Sequence, residues 1–304
     1  MDLIYCHSCG DNHSDERTKQ QMTETKTDHY RGLLILGKII KYVILVVGAI
    51  IMLLPFLWML STSLKNEGAT MVMPPQFIVK NPIIDNFKAV ITDYPMLTFL
   101  KNSVIVAVFT TVFQILNGAL AGFAFGRMHF KGRNILFLIV LSTMMIPSQV
   151  TMIPQFVLLK YLGWLNSYLG LVVPNVFGAF SIFLMKQAFE NLPDALEEAA
   201  AIDGANLWTI FWKVDLPQTK ATIATLTIFN FMQSWNNYLW PLIVTNSDSK
   251  ATLPLGLALM QGQYSTNWNL VMAGVVISVV PILMVYLIAQ RQFIQGMTMS
   301  SAVK

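Results

Sequence analysis

Six stretches of this chain, at about 42–60, 103–126, 135–158, 168–185, 221–246 and 269–290, run for 18 residues or more without an Asp, Glu, Lys, Arg or His. A helix of that length crosses the hydrocarbon core of a bilayer, and no water-soluble fold needs so many uncharged runs. The fold class expected is therefore an all-α integral membrane protein with six transmembrane helices. Every acidic, basic and histidine side chain lies between or beyond these runs. Over 304 residues only 12% are charged, about half the usual share of a soluble domain.

The net charge of +4 raises the question of nucleic acid, but the basic residues sit in short runs beside apolar segments and form no basic face. Their distribution instead sets an orientation. Fourteen Lys and Arg lie in residues 1–41, 127–134, 186–220 and 291–304, against six in the alternate segments. The positive-inside rule makes the first group cytoplasmic, with both termini inside a plasma membrane. About forty hydrophilic residues precede the first run, so a cleaved signal peptide is not expected. Four regions follow: a partly disordered cytoplasmic tail at 1–41, a first transmembrane helix with an external loop at 42–98, a transmembrane core at 99–290, and a cytoplasmic tail at 291–304.

The first tail holds both cysteines, Cys6 and Cys9, near His7 and His13. A lone CxxC lacks the second ligand pair of a structural zinc site, so no metal or cofactor is assigned. A disordered tail, or a gene start set too early with Met22 as the true initiator, fits as well. Pro55, Pro147, Pro154, Pro174 and Pro281 interrupt the apolar runs, either as kinks against neighbouring helices or as hinges. No duplication of three spans is visible, which makes this chain half of a pore whose other half is another subunit.

Ion-coupled carriers place ionisable groups at mid-membrane depth, and no run contains one. There is no GxxxxGK[ST] loop, no HExxH, no GxSxG and no intramembrane cluster of reactive groups. The chain is thus expected to be neither an enzyme nor a self-powered carrier. What the fifth run does hold is neutral polar chemistry. Asn230, Gln233 and Asn237 follow i, i+3, i+7 spacing on one helix face, with Trp235 and Trp240 close by. Carboxamides both donate and accept without charge, and aromatic faces stack on sugar rings, so the set suits a neutral polyhydroxylated solute. The same residue types also join membrane helices or anchor them at the interface.

Between the fourth and fifth runs lies NLPDALEEAAAIDGANLWTIFWKVDLP, residues 191–217. Asn191 with Pro193 and Asp194 marks a helix start, acidic Glu197 and Glu198 favour its positive end, and Gly204 supplies a left-handed stop. A second helix is expected from Asn206 to Val214. Leu196, Ala200 and Ile202 form an apolar ridge fit for a partner's groove.

The string EAAAIDGA, Glu198 to Ala205, followed by Leu216 and Pro217, resembles the EAA loop of permeases of ATP-binding-cassette importers. Asn102 and Ser103, MMIPSQVTMIPQF from Met144, WNNYLWPLIV from Trp235, TLPLGLALMQGQY from Thr252 and QRQFIQGMT from Gln290 extend the resemblance over roughly residues 35 to 304. Together they resemble the carbohydrate branch of these permeases, including those similar to the G subunit of the maltose transporter. Residues 1 to about 30 match no part of the family pattern.

The resemblance implies a type I importer fold in a bacterial cell membrane and four partners beside the lipid. These are a second six-helix permease, a pair of ATP-binding-cassette ATPase subunits, an extracytoplasmic solute-binding protein and a sugar; nucleic acid is not among them. It also implies that Glu198, Ala199, Ala200, Asp203 and Gly204 couple the chain to the ATPase, although Glu198 could serve only as a helix-end charge. Another solute of the same importer class, glycerol phosphate or a polyol, is the alternative to a sugar.

Overall fold

The computed structural model describes the backbone of residues 12–70, 72, 76–262 and 266–302, and side chains between 37 and 290 within those limits. Cys6, Cys9 and His7, and the side chains of His13, Met22 and residues 291–304, lie outside this description. Every regular element among the described residues is a helix, in two units divided between Trp58 and Met59.

The first unit is carried by α1 (Asn12–Ser63), whose stretch from Gly37 is long and apolar enough to span a membrane. None of the side chains in its most apolar window is buried. A helix apolar all round and uncovered is stable only in lipid or against another protein.

After the last turn of α1 and a 3₁₀ turn over Glu67–Ala69, the second unit continues with α2 (Asp85–Thr92) and the long α3 (Met96–Arg127). The run expected at 135–158 is bent, as a broken span or a re-entrant loop: α4 (Arg133–Thr143) and α5 (Ser148–Tyr161) meet at 94°. Pro147 explains the turn, since it has no N–H to donate and disfavours helical geometry in the residue before it. The run at 168–185 divides into α6 (Tyr168–Val172), a 3₁₀ turn over Val173–Asn175 and α7 (Ala179–Glu190), bent by 44°. Next come α8 (Asp194–Ile202), α9 (Leu207–Thr209), a π-helical segment Ile210–Asp215 and α10 (Leu216–Gln218). The run at 221–246 becomes α11 (Lys220–Trp235) and α12 (Leu239–Val244), separated at 236–238. The chain continues through α13 (Leu253–Leu259) into α14 (Trp268–Ala302). Among the described residues three helices are long and apolar enough to span, or five if each bent pair counts once, rather than six straight spans.

The closest packing joins α3 to α7. A methyl group added at Gly118 would lie 2.8 Å from the Ser181 Cβ, and one at Gly122 would lie 2.6 Å from the Met185 Cβ. These glycines, four apart on one face, let two backbones approach where no hydrophobic effect operates. Phe123, Phe189 and Phe211 close the contact at one end, with Phe123 5.6 Å from Phe189 and 5.2 Å from Phe211. Near the other end, Asn102 donates to the carbonyls of Ser249 and Ala251 and accepts from the Tyr168 hydroxyl at 2.6 Å. Asn86 similarly ties the end of α1 to α14, donating to the Ser63 and Lys65 carbonyls and accepting from Asn269.

Gly122→Ala should therefore destabilise the purified chain by about 1–3 kcal/mol through overpacking, seen as a lower melting temperature in detergent. Gly68→Ala, where nothing lies within 4 Å of the added carbon, should leave the melting temperature unchanged.

Candidate functional site

Two places concentrate polar chemistry. The first is a cavity of about 60 Å³ among α3, α6, α11 and α12. Asn230, Gln233 and Asn237 all line it, so the spacing on the fifth run brings three carboxamides to one place. The break at 236–238 does not separate Asn237 from the others, because its Oδ1 accepts from the Trp240 N–H and holds α12 against the end of α11. Asn230 is buried and donates to the Ser181 hydroxyl at 3.0 Å.

Trp235 is placed elsewhere. It is buried against Phe231, with ring centres 5.4 Å apart, and its indole N–H donates to the Ser278 carbonyl of α14. Five residues further on, Trp240 takes the cavity wall and donates to the Gly170 carbonyl at 3.0 Å. An i to i+5 step across a helix break reorients the second indole, which periodicity does not reveal.

The cavity also recruits Thr110, Gln114 and Asn175, which sequence spacing did not bring together with the fifth run. Gln114 donates to the Asn175 carbonyl at 2.7 Å, and the Asn175 amide donates to the Leu171 carbonyl at 3.0 Å. Thr110 and Gln114, four apart in an apolar run, carry the one signal that could have marked this face. No residue lining the cavity is charged. Its present volume holds a few waters and is well below the roughly 300 Å³ of a small-molecule site.

The second place is the knuckle at 191–218. α8 starts at Asp194 with Pro193 as its extended flanking residue, while Asn191 closes α7 and donates to the Gln187 carbonyl. Asn191 thus ends one helix rather than starting the next. Gly204 adopts φ +80°, the Ala205 N–H reaches the Ala200 carbonyl and the Gly204 N–H reaches the Ala201 carbonyl. This is a Schellman stop, in which left-handed geometry favours glycine. Asn206 begins α9 by accepting from the Thr209 N–H at 2.8 Å. The second helix then continues past Val214 to Gln218, through π geometry in which the Leu216 N–H bonds to the Phe211 carbonyl.

Glu198, Ala199, Asp203 and Gly204 are exposed and Ala200 is half-buried. Beside them Ile202 is 87% exposed, Leu207 58% and Trp208 61%. Beneath this surface Arg127, the last residue of α3, holds the knuckle. Its guanidinium reaches Asp194 at 2.6 Å, Glu197 at 2.7 Å and the Leu192 carbonyl at 2.6 Å. Fully buried Asp215 faces Glu197. Burial, then the hydrogen bond to Glu197 and its charge, push the Asp215 carboxyl up to about 7, with Arg127 opposing. Ionised, neither Asp215 oxygen has a donor; protonated, Asp215 donates to Glu197.

Residues 114–299 match the family described as binding-protein-dependent transport system inner membrane component. An arabinooligosaccharides transport permease of Halalkalibacterium halodurans is 36% identical over 78% of this chain and 84% of its own length. A lactose transport permease of Rhizobium radiobacter is 32% identical over 86% and 95%. An sn-glycerol-3-phosphate transport permease of Salmonella typhi is 31% identical over 89% and 98%. Among solved structures, a chain of a bacterial ABC transporter importing the acidic polysaccharide alginate superposes with TM-score 0.75 at 26% identity, covering 85% of this chain and 96% of that one.

The Asp215 carboxyl lies higher in the folded chain than its ordinary unfolded value near 3.9, so the folded state binds the proton more tightly. Its contribution to stability is complete below about pH 4 and is lost as pH rises through about 7. Asp215→Asn keeps a donor toward Glu197 without titrating. Melting temperatures of both proteins from pH 5 to 8 should therefore show a fall in the parent that the variant lacks.

Proposed function

This chain belongs to the family of binding-protein-dependent transport system inner membrane components, and on that premise we propose that it is the permease half of an ATP-driven sugar importer. The carrying observation is the cavity: carboxamides from three elements, two hydroxyls and one indole converge with no charge among them. Such a lining exchanges hydrogen bonds with hydroxyls and offers nothing to neutralise an anion. A neutral oligosaccharide fits this chemistry better than glycerol phosphate, whose charge would have to be met by another subunit.

A second permease supplies the rest of the pathway. In support, the cavity is too small for a sugar on its own, and the break between α4 and α5 is bare: Met144 is 51% and Met145 84% exposed. Backbone that leaves the helix at membrane depth must be covered by protein or face water.

ATPase subunits dock at the knuckle. Glu198, Ala199, Ala200, Asp203 and Gly204 form the contact surface, and exposed Ile202, Leu207 and Trp208 add an apolar patch of the kind that marks a protein interface. On this reading the knuckle and both termini face the cytoplasm, and a binding protein delivers the solute from outside. Residues 99–290 form the conducting core, with the tails outside it.

Two experiments test the proposal. Gln233→Ala should raise the KM for a neutral arabino-oligosaccharide by roughly 2–10-fold, the worth of one hydrogen bond, while sn-glycerol-3-phosphate fails to compete; an unchanged KM contradicts the cavity assignment. Gly204→Leu forces a branched side chain into left-handed geometry, costing about 1–2 kcal/mol locally, and should abolish uptake and weaken ATPase recruitment. Normal uptake and normal recruitment in that variant contradict the docking assignment.

A further inference from the structure

The cavity and the knuckle sit at two places on one helix. α3 lines the cavity with Val106, Thr110 and Gln114, and it ends at Arg127. From Gln114 to Arg127 the helix covers roughly 20 Å at 1.5 Å per residue. No proline interrupts it there, and Gly118 and Gly122 press it onto α7 with no room for a methyl group.

The hold of α3 on α8 is narrow. α8 buries none of its own side chains, whereas the π segment beside it packs onto α3 through Phe123 and Phe211. What ties α8 itself to α3 is the guanidinium, which grips Asp194 and Glu197 on the first turn and the Leu192 carbonyl just before it. Two acceptors, the Asp194 carboxylate and the Leu192 carbonyl, take its terminal N–H groups while Glu197 pairs with its Nε by charge, an arrangement that suits the planar fork of arginine and exceeds what one ammonium can hold rigidly. The Arg127 side chain is 9% exposed and that of Glu197 25%, so this pair is sheltered from screening by salt, whereas Asp194, 83% exposed, stays open to it.

We propose that Arg127 is a positioning residue that makes α8 and α3 move as one body, so that a pull on α8 is delivered to Thr110 and Gln114 at the cavity. This rests on the ATPase-docking reading above.

The test uses the assembled importer, purified with its companion subunits, carrying Cys6→Ser, Cys9→Ser and the reporter Thr110→Cys. The rate at which a water-soluble methanethiosulfonate labels the reporter is measured with and without ATP plus vanadate. With Arg127 present the rate should change several-fold on trapping. Arg127→Gln should lose that change while keeping ATP hydrolysis and ATPase stoichiometry, and Arg127→Lys should fall between them. Asp194→Ala with Glu197→Ala, which removes the acceptors and leaves Arg127 in place, should reproduce the loss. A full change in either variant overturns the inference, as does a loss that merely tracks loss of bound ATPase. A parent complex that binds ATPase subunits but shows no response overturns the inference alone, and one that binds none overturns the docking reading with it.

Discussion

Hydrocarbon offers no hydrogen-bond partner to a backbone that leaves the helix, and this constraint arranges the polar side chains of the core. The turn between α6 and α7 frees carbonyls that Gln114 and Asn117 of α3 take up, at Asn175 and Val176. The break after α11 is closed by Asn237 accepting from the Trp240 N–H, and Trp240 in turn satisfies the Gly170 carbonyl. Side chains recruited to mend interrupted helices thus converge on one cavity. In this account the polar site is a consequence of the breaks.

The opposite economy operates at the knuckle, where the charges kept out of the apolar runs are concentrated. Arg127 can reach two acids because it ends α3, where a cation also complements the helix dipole. Glu197 pairs with it, and Asp215, shut away behind the pair, is better kept neutral than left as a buried anion. One cation serving two carboxylates leaves a firm but directional joint.

Much of this was legible in residue order. Uncharged runs announce a membrane, and the apolar stretches of α1 and α14 follow from length and apolarity, although the helices run on to Asn12 and Ala302, well past the expected spans. Gly204 announces its left-handed turn because it follows a run of good helix formers, and i, i+3, i+7 spacing gathers Asn230, Gln233 and Asn237. The illegible part consists of departures from helical period. Pro147 is visible as a breaker, but the 94° it produces depends on packing at a distance. The break at 236–238, with no proline inside it, sends Trp235 to the α14 contact and Trp240 to the cavity. Gln114 and Asn175 are far apart in the chain, so only the folded structure joins them. The π segment is equally hidden, since no residue type specifies it.

A pathway through apolar runs that hold no ionisable group, driven by an external motor at the knuckle, is the central claim. Its most direct test is the energy source, measured as accumulation of a labelled neutral arabino-oligosaccharide in proteoliposomes. Vesicles with this chain, its companion permease, the ATPase subunits and the binding protein should accumulate sugar only when ATP is hydrolysed, and dissipating proton and sodium gradients should make no difference. Accumulation by this chain alone under an imposed ion gradient, with no ATPase present, would contradict the account.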